Sequence, residues 1–582
     1  MNSWAILSFI ACTALVAFIS WKITKEGDLT TSRGYFLGGR GLTGIQIGTS
    51  ILLTNWSAEQ LIGLNGQGFA VGLSSMGWAV TSGIGLIIMA TIFLPYFLSR
   101  GITTLPELVE ERFGSTARNF MAFCILVGLV VMLLPAVLYT GALALTKLFN
   151  ITGLLDISYN VALTGTIVFI VIIGSTYAIF GGLKAVVISD TINGIGFFFG
   201  SILVLILGLN ALGDGHILSG IHKLLTVHPQ MLNAVTPVKA TVPFSTLFTG
   251  MILMNVYFAC ANQLIIQRAL GAKNLAEGQK GVLMAAVIKI LSVGILLIPG
   301  VIAFHLYGNE GINPDQAYPI LIHRLMPNYM VGIFGAVLFG AVISTFNSII
   351  NTCSTIFALN IYKPLLGNYV EDIKCINAGK KFGFAIAVFA ACAAPFIQYL
   401  DHSGVYIFVH KFNAALHLPV LFIVLVGMVS KRATAKSTIT GASVYIALSL
   451  YFTYFTHWKL NFLHQAAIMF AISLIITWLM TLKNPDLSNK KLLPKLDTVD
   501  ITHWKHIRLG CVIVSVMMVA AYALASSIGV VTNPDNISRN VLIILATSII
   551  SIFILNIVVK TFMNKIQAKR KVNMQLDPVE QC

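Results

Sequence analysis

The sequence predicts an all-α polytopic membrane protein of about fifteen spans, built on two inverted five-span halves. Three observations lead there. Apolar residues make up 57% of the 582 residues and charged residues 10%, with a mean hydropathy of +0.86; soluble domains hold about 45–50% and 25%. Apolar runs of roughly 18 to 30 residues recur along the chain, each long enough to cross ~30 Å of hydrocarbon. Two of these runs, the second and the seventh, are interrupted by amide and aromatic residues, and five spans is an odd number, so equivalent helices would cross in opposite directions.

In order, the spans fall near 4–22, 42–64, 75–98, 118–146, 160–180, 185–211, 243–266, 281–306, 328–358, 380–399, 404–429, 437–455, 461–481, 509–528 and 538–559. The first, "MNSWAILSFIACTALVAFISWKITK", lacks a basic leading region and a small-residue cleavage site, so it reads as a retained span. Basic residues test the alternation of loops. With the N-terminus outside, roughly 29 of the 37 Lys and Arg fall on or beside 23–41, 99–117, 181–184, 267–280, 359–379, 430–436, 482–508 and the tail after 559. The C-terminus is then inside, and the net charge of +16 reads as an orientation signal rather than a nucleic-acid surface. A multi-pass protein of the plasma (inner) membrane is expected, with the lipid bilayer as its medium and no obligate protein partner evident.

The chain divides into an extra N-terminal helix and loop (1–41), a first half of spans two to six (42–212), an external loop (213–242), a second half of spans seven to eleven (243–436) and accessory helices with a basic tail (437–582). No segment is long or polar enough for a soluble domain. The eight cysteines form no C-x-x-C pair and lie mostly in apolar runs, so neither a disulfide framework nor a zinc site is expected. Without a nucleophile–base set, a Walker loop or H-E-x-x-H, an enzyme and an organic cofactor are not expected either. Gly196 and Gly200 have the spacing of close helix packing.

Chemistry must then reside at membrane depth, where polar groups are expensive and mark function by default. Lys289 and Lys411 are the two basic residues inside spans. The stretch "AVISTFNSIINTCST" (341–355) carries hydroxyls that either bond back to their own helix or, at Ser344 and Thr345, offer hard oxygen ligands to a small cation. "TNWSAEQLIGLNGQG" (54–68) and "LMNVYFACANQLIIQR" (253–268) are the interrupted stretches, and irregular backbone at this depth survives only where it lines a cavity or is buried in protein.

Several motifs carry a family likeness. "YFLGGR" (35–40), "NWSAEQLIGLNGQGF" (55–69), "YAIFGGLKAVVISD" (177–190), "NQLIIQRALGAKNLAEGQKG" (262–281) and "GAVISTFNSIINTCSTIFALNIY" (340–362) resemble the sodium:solute symporters, most closely the sodium/glucose and sodium/galactose branch. The likeness runs from about residue 35 to 436. It implies a LeuT-like inverted-repeat fold, alternating access, and sodium entering with the solute. It also implies a sodium site at the carbonyls of Leu53, Trp56 and Ala341 and the hydroxyls of Ser344 and Thr345, with Asp190 on the ion's path inward.

For the solute the resemblance implies Asn55, Gln60, Ser82, Asn255 and Lys289, and the candidate lining is completed by Trp78, Tyr257, Phe258 and Lys411. The sequence departs from the sugar branch at four places: its hexose-binding Glu falls on Ala79, its gating Tyr on Phe258, a neighbouring Trp on Ala259 and a contacting Gln on Lys411. Losing a carboxylate and adding an ammonium would favour an acidic solute. The expected cargo is a sugar or sugar-like polar solute, with an acidic sugar, carboxylate or amino acid as the alternative and a channel or membrane sensor as the reading from another class. Glu59 has no role in this scheme.

Overall fold

The computed structural model describes residues 3–24, 41–367, 371–399, 405–456, 458, 460–486 and 499–576; the first quoted motif, 35–40, lies outside the described residues. The regular elements there are helical, and the extended pairing among them is one isolated bridge between Leu42 and Ala272. Among the described residues ten helices are long and apolar enough to cross a membrane, or eleven if one bent pair is a single span, and two shorter apolar helices, Trp4–Val16 and Tyr159–Ser175, accompany them. This count is below fifteen because it needs long unbroken helices, and breaks leave pieces such as Gly44–Asn55 with 12 residues and Leu275–Leu291 with 17.

A single helix is assigned over Tyr159–Leu212, through 181–184 where the sequence predicts a loop. Two glycines weaken a helix by about 1 kcal/mol each without ending it. The side chains of 176–190 lie outside the described residues, and that of Asp190 with them.

Both interrupted spans are broken. The second consists of α1 (Gly44–Asn55) and α2 (Ala58–Val71), parted at Trp56 and Ser57. The seventh consists of α3 (Gly250–Cys260) and α4 (Gln263–Leu270), bent by 41° at Ala261 and Asn262. A side chain restarts each helix: the Ser57 hydroxyl accepts the Gln60 N–H at 3.2 Å, and Asn262 Oδ1 accepts the Leu264 N–H at 3.0 Å. These are N-caps, which satisfy amide protons that hydrocarbon could not.

Glycine sets the distances between helices. α1 packs on α5 (Leu275–Leu291), where a Cβ built on Gly281 would stand 2.7 Å from the Gly44 carbonyl oxygen and 2.8 Å from the Ile47 Cβ. A Cβ built on Gly196 or Gly200 would stand 2.8 Å from Val337 or 2.9 Å from Phe334 of α6 (Asn328–Ile356), the close helix packing that their spacing predicts.

Hydrogen bonds between loops fall within the two sets that the alternation separates. In one, Arg112 joins 99–117 to Asp486 at 3.1 Å and to the carbonyls of Ser430, Lys431 and Ala433, and the Leu275 N–H reaches the Asp500 carbonyl. In the other, the Ala234 N–H reaches the Ala525 carbonyl and Asn461 Nδ2 reaches the Thr241 carbonyl. The apolar helix Pro534–Thr561 is almost entirely unburied, an arrangement suited to lipid contact rather than water.

Gly281→Val is expected to force α1 and α5 apart. Overpacking of this kind destabilises by about 1–3 kcal/mol, so the thermal unfolding midpoint of the purified protein should fall by several degrees, whereas Gly165→Ala, where a Cβ meets nothing within 4 Å, should leave it unchanged.

Candidate functional site

A helix that stops at Asn55 leaves its last carbonyls without intrahelical partners. The Leu52 carbonyl takes the Trp56 N–H at 2.6 Å, and Trp56 itself leaves helical geometry at φ −79, ψ 56. Leu53 and Trp56 are buried there, the Trp56 ring stacked on Phe197 at 5.4 Å. Opposite, on α6, Thr345 donates its hydroxyl to the Ala341 carbonyl at 3.1 Å, and Ser348 donates to the Ser344 carbonyl at 2.7 Å. Thr54 and Asn55 at the break line the same cavity as Thr345. The oxygen groups implied for sodium therefore lie on two elements that border one space.

That cavity contains about 820 Å³, part of it open to solvent. Its walls come from α1 and α2, from α3, α4 and α5, from α6, and from α7 (Val405–Val429). Eight of the predicted residues line it: Asn55, Gln60, Trp78, Asn255, Tyr257, Phe258, Lys289 and Thr345. Asn255 Nδ2 is oriented by the Thr81 hydroxyl at 2.8 Å. The Lys289 ammonium lies 4.2 Å from the centroid of the Phe258 ring and has no ion pair among the described residues. A desolvated cation–π contact is worth about 2 kcal/mol, which helps offset the burial of the charge.

The other predicted residues are placed differently. Ser82 is fully buried and donates to the Ala79 carbonyl at 2.5 Å, behind the wall rather than on it. Leu53, Trp56, Ala341 and Ser344 are buried next to the cavity without lining it. Lys411 lines a second cavity on the other side of α7. One residue along a helix turns about 100°, so its neighbour His410 faces the site instead.

Sequence reasoning passed over Glu59, Asn262, His410, Asn413 and His417, all of which line the cavity. The last three recur at i, i+3 and i+7, a polar stripe visible in "VHKFNAALHLP". Glu59 Oε1 lies 3.9 Å from His410 Nδ1, beyond hydrogen-bond reach. The Trp78 and His410 rings sit 4.6 Å apart, and Tyr257 stacks on His417 at 4.6 Å. Gly128 allows the His417 approach, since a Cβ there would come within 2.7 Å of Nε2. Five buried polar atoms on this wall, Thr54 Oγ1, Asn55 Oδ1, Glu59 Oε1, Asn413 Oδ1 and His417 Nε2, have no hydrogen-bond partner among the described residues. Buried polar groups without partners are costly, and five of them belong to residues that line one space.

Beside the cavity, Arg268 ties three elements together. Its guanidinium donates to the Ser50 hydroxyl of α1 at 2.8 Å, to the Ser348 hydroxyl of α6 at 2.5 Å and to the Leu264 carbonyl of α4. Only 1% of Arg268 is exposed, although the sequence places it in the inner loop 267–280.

Two broken helices that meet at one polar cavity are the arrangement that membrane transport proteins use for binding. Known proteins narrow that class. The sequence pattern of the sodium:solute symporter family matches residues 35–444, and the chain belongs to that family. It is 39% identical over 529 residues to the uncharacterized symporter YidK of Escherichia coli, covering 91% of this chain and 92% of that one. It is 30% identical to the sodium/glucose cotransporter of Vibrio parahaemolyticus over 74% of this chain and 81% of that one. In three dimensions it matches a Na⁺-coupled sialic acid symporter solved substrate-bound and outward-open, with a TM-score of 0.72 and 20% identity, over 83% of this chain and 99% of that chain. The chain is thus a multi-pass, sodium-coupled solute symporter, and its family is one of transporters rather than enzymes.

Arg268→Gln should loosen the junction of α1, α4 and α6. Each hydrogen bond from a charged group contributes about 1.5–3 kcal/mol, so a drop of several degrees in the thermal midpoint is expected in detergent, with Arg268→Lys recovering only part of it because one ammonium cannot reproduce the guanidinium fork.

Proposed function

We propose that this symporter imports a neutral, polyhydroxylated, sugar-like solute together with sodium, by alternating access of the central cavity, across the plasma (inner) membrane. The observation that carries this reading is the cavity itself, where amides, hydroxyls and ring faces surround one carboxylate, Glu59, and one ammonium, Lys289. Amides and hydroxyls both donate and accept, as a polyol does, and aromatic faces pack on the C–H face of a ring. The acidic alternative drew on Ala79 and Lys411. With Lys411 on another cavity and Glu59 on this one, a single acid and a single lysine offset one another, which supports a neutral cargo. The transport described for the relatives by their names, glucose in one and sialic acid in another, frames the range of solutes to test.

Sodium is assigned to the carbonyls of Leu53, Trp56 and Ala341 with the hydroxyls of Ser344 and Thr345, hard oxygen ligands suited to a hard cation. Asn55 and Thr345 border both this group and the solute space, so an ion there would fix the α1 break in the shape that binds solute. No organic cofactor is required. Fifteen spans with the N-terminus outside and the C-terminus inside remain the topology that best fits the basic residues.

Uptake into proteoliposomes should depend on an inward sodium gradient and fall at least about tenfold in Ser344→Ala/Thr345→Ala, a loss of ~1.4 kcal/mol or more. Uptake that continues unchanged with potassium in place of sodium would overturn the assignment. Glu59→Gln should weaken binding of a neutral hexose or inositol by about tenfold, because hydrogen bonds to a charged acceptor are roughly twice as strong as neutral ones; isothermal titration in sodium buffer measures it.

A further inference from the structure

We propose that the second cavity, walled by α7, α8 (Ala435–Tyr454) and α9 (Phe462–Lys483), is a separate binding site for a small hydroxylated carboxylate, such as a sugar acid. It contains about 1020 Å³, part of it open to solvent, and its lining includes Lys411, Tyr445, Ser449, Thr453 and Trp458.

The first argument is the two-sided polarity of α7. Val409, Asn413 and His417 face the central cavity, whereas Ile407, Lys411 and Ala414, at i, i+4 and i+7, face this one. A span that served the central site alone would need only an apolar back. Lysine within a span is retained where it meets water, a partner or a ligand, and Lys411 has no ion pair or hydrogen bond among the described residues.

Tyr445 supplies the second, independent argument. It is fully buried, it lines the cavity, and its Oη has no hydrogen-bond partner among the described residues. A phenol held in that way is a donor awaiting an acceptor. The amides nearby are already engaged: Gln465 Nε2 donates to the Leu460 carbonyl at 2.6 Å, and Asn461 Nδ2 donates to the Thr241 carbonyl at 3.0 Å. They shape the wall. Recognition is left to Lys411, to the Tyr445 phenol and to the hydroxyls of Ser449 and Thr453. Trp458, 40% exposed and set against Phe452 at 4.8 Å, places an aromatic surface at the mouth.

The ligand class follows from these groups. An ammonium selects a carboxylate through a charge-assisted bond, the hydroxyls suit a polyol, and a ring face suits the C–H side of a sugar. A neutral hexose would leave Lys411 without its counter-charge, and an apolar acid would leave the hydroxyls unused.

The test uses the full-length purified protein, with D-glucuronate and D-gluconate as probes and D-glucose as the neutral comparator, read by thermal shift and by tryptophan fluorescence. At least one acid is expected to stabilise the protein saturably. Lys411→Gln should raise its apparent Kd about tenfold or more, Lys411→Arg should stay within about threefold, and Tyr445→Phe should weaken it to an intermediate degree. The response should persist in Asn55→Ala/Gln60→Ala, which removes amides of the central cavity and so separates this site from the transported solute's. Stabilisation by neither acid, an unchanged Kd in Lys411→Gln, or loss of the response in the central-cavity variant would each overturn the proposal. Should Lys411→Gln fail to fold, Ser449→Leu, which fills the cavity from a residue only 4% exposed, takes its place: loss of the response supports the site and its retention refutes it.

Discussion

A backbone amide in hydrocarbon has no water to bond, so a membrane chain can leave its helices only where protein or a cavity meets the freed groups. The rest of this structure follows from that constraint. The breaks at Trp56–Ser57 and Ala261–Asn262 are capped by Ser57 and Asn262, and they open onto a space where the remaining polar groups can serve an ion and a solute. Without the cavity the breaks would be defects. Without the breaks the cavity would be an apolar gap.

Holding two irregular helices in register requires close contacts around them. Gly44 and Gly281 bring α1 and α5 together at backbone distance, and Gly128 allows His417 to reach into the site. Arg268 joins α1, α4 and α6 through hydroxyls and a carbonyl. A buried guanidinium is tolerable only when its donors are used, so its presence binds these three helices together next to the residues assigned to sodium. The proposed alternating access would therefore have to rearrange or carry this junction.

Much of the fold was legible because a bilayer imposes a simple rule on composition. Spans are apolar runs of fixed length, loops carry the basic residues, and the two interruptions stand out as polar stretches in an otherwise apolar background. Eight predicted solute and sodium residues fell on one cavity for the same reason: polar side chains at that depth have few places to be. The failures are equally physical. Lys411 was read as a cavity residue because charge inside a span attracts attention, yet a shift of one position turns a helical side chain by about 100°, and His410 stands where Lys411 was expected. Glu59 found no role in the sequence reading because its neighbour His410 comes from a span hundreds of residues away.

The sequence by itself determined that this is a polytopic helical symporter with paired broken spans and a hydroxyl-rich helix at 341–355, since length, hydropathy and motif are properties of single segments. Only the tertiary structure decided which polar groups share a space. It set Glu59 against His410 and Lys289 against Phe258 and placed Lys411 on a second cavity, so that one acid and one lysine line the central one. Electrostatics at a site is a sum over everything that faces it, and facing is decided by how helices pack.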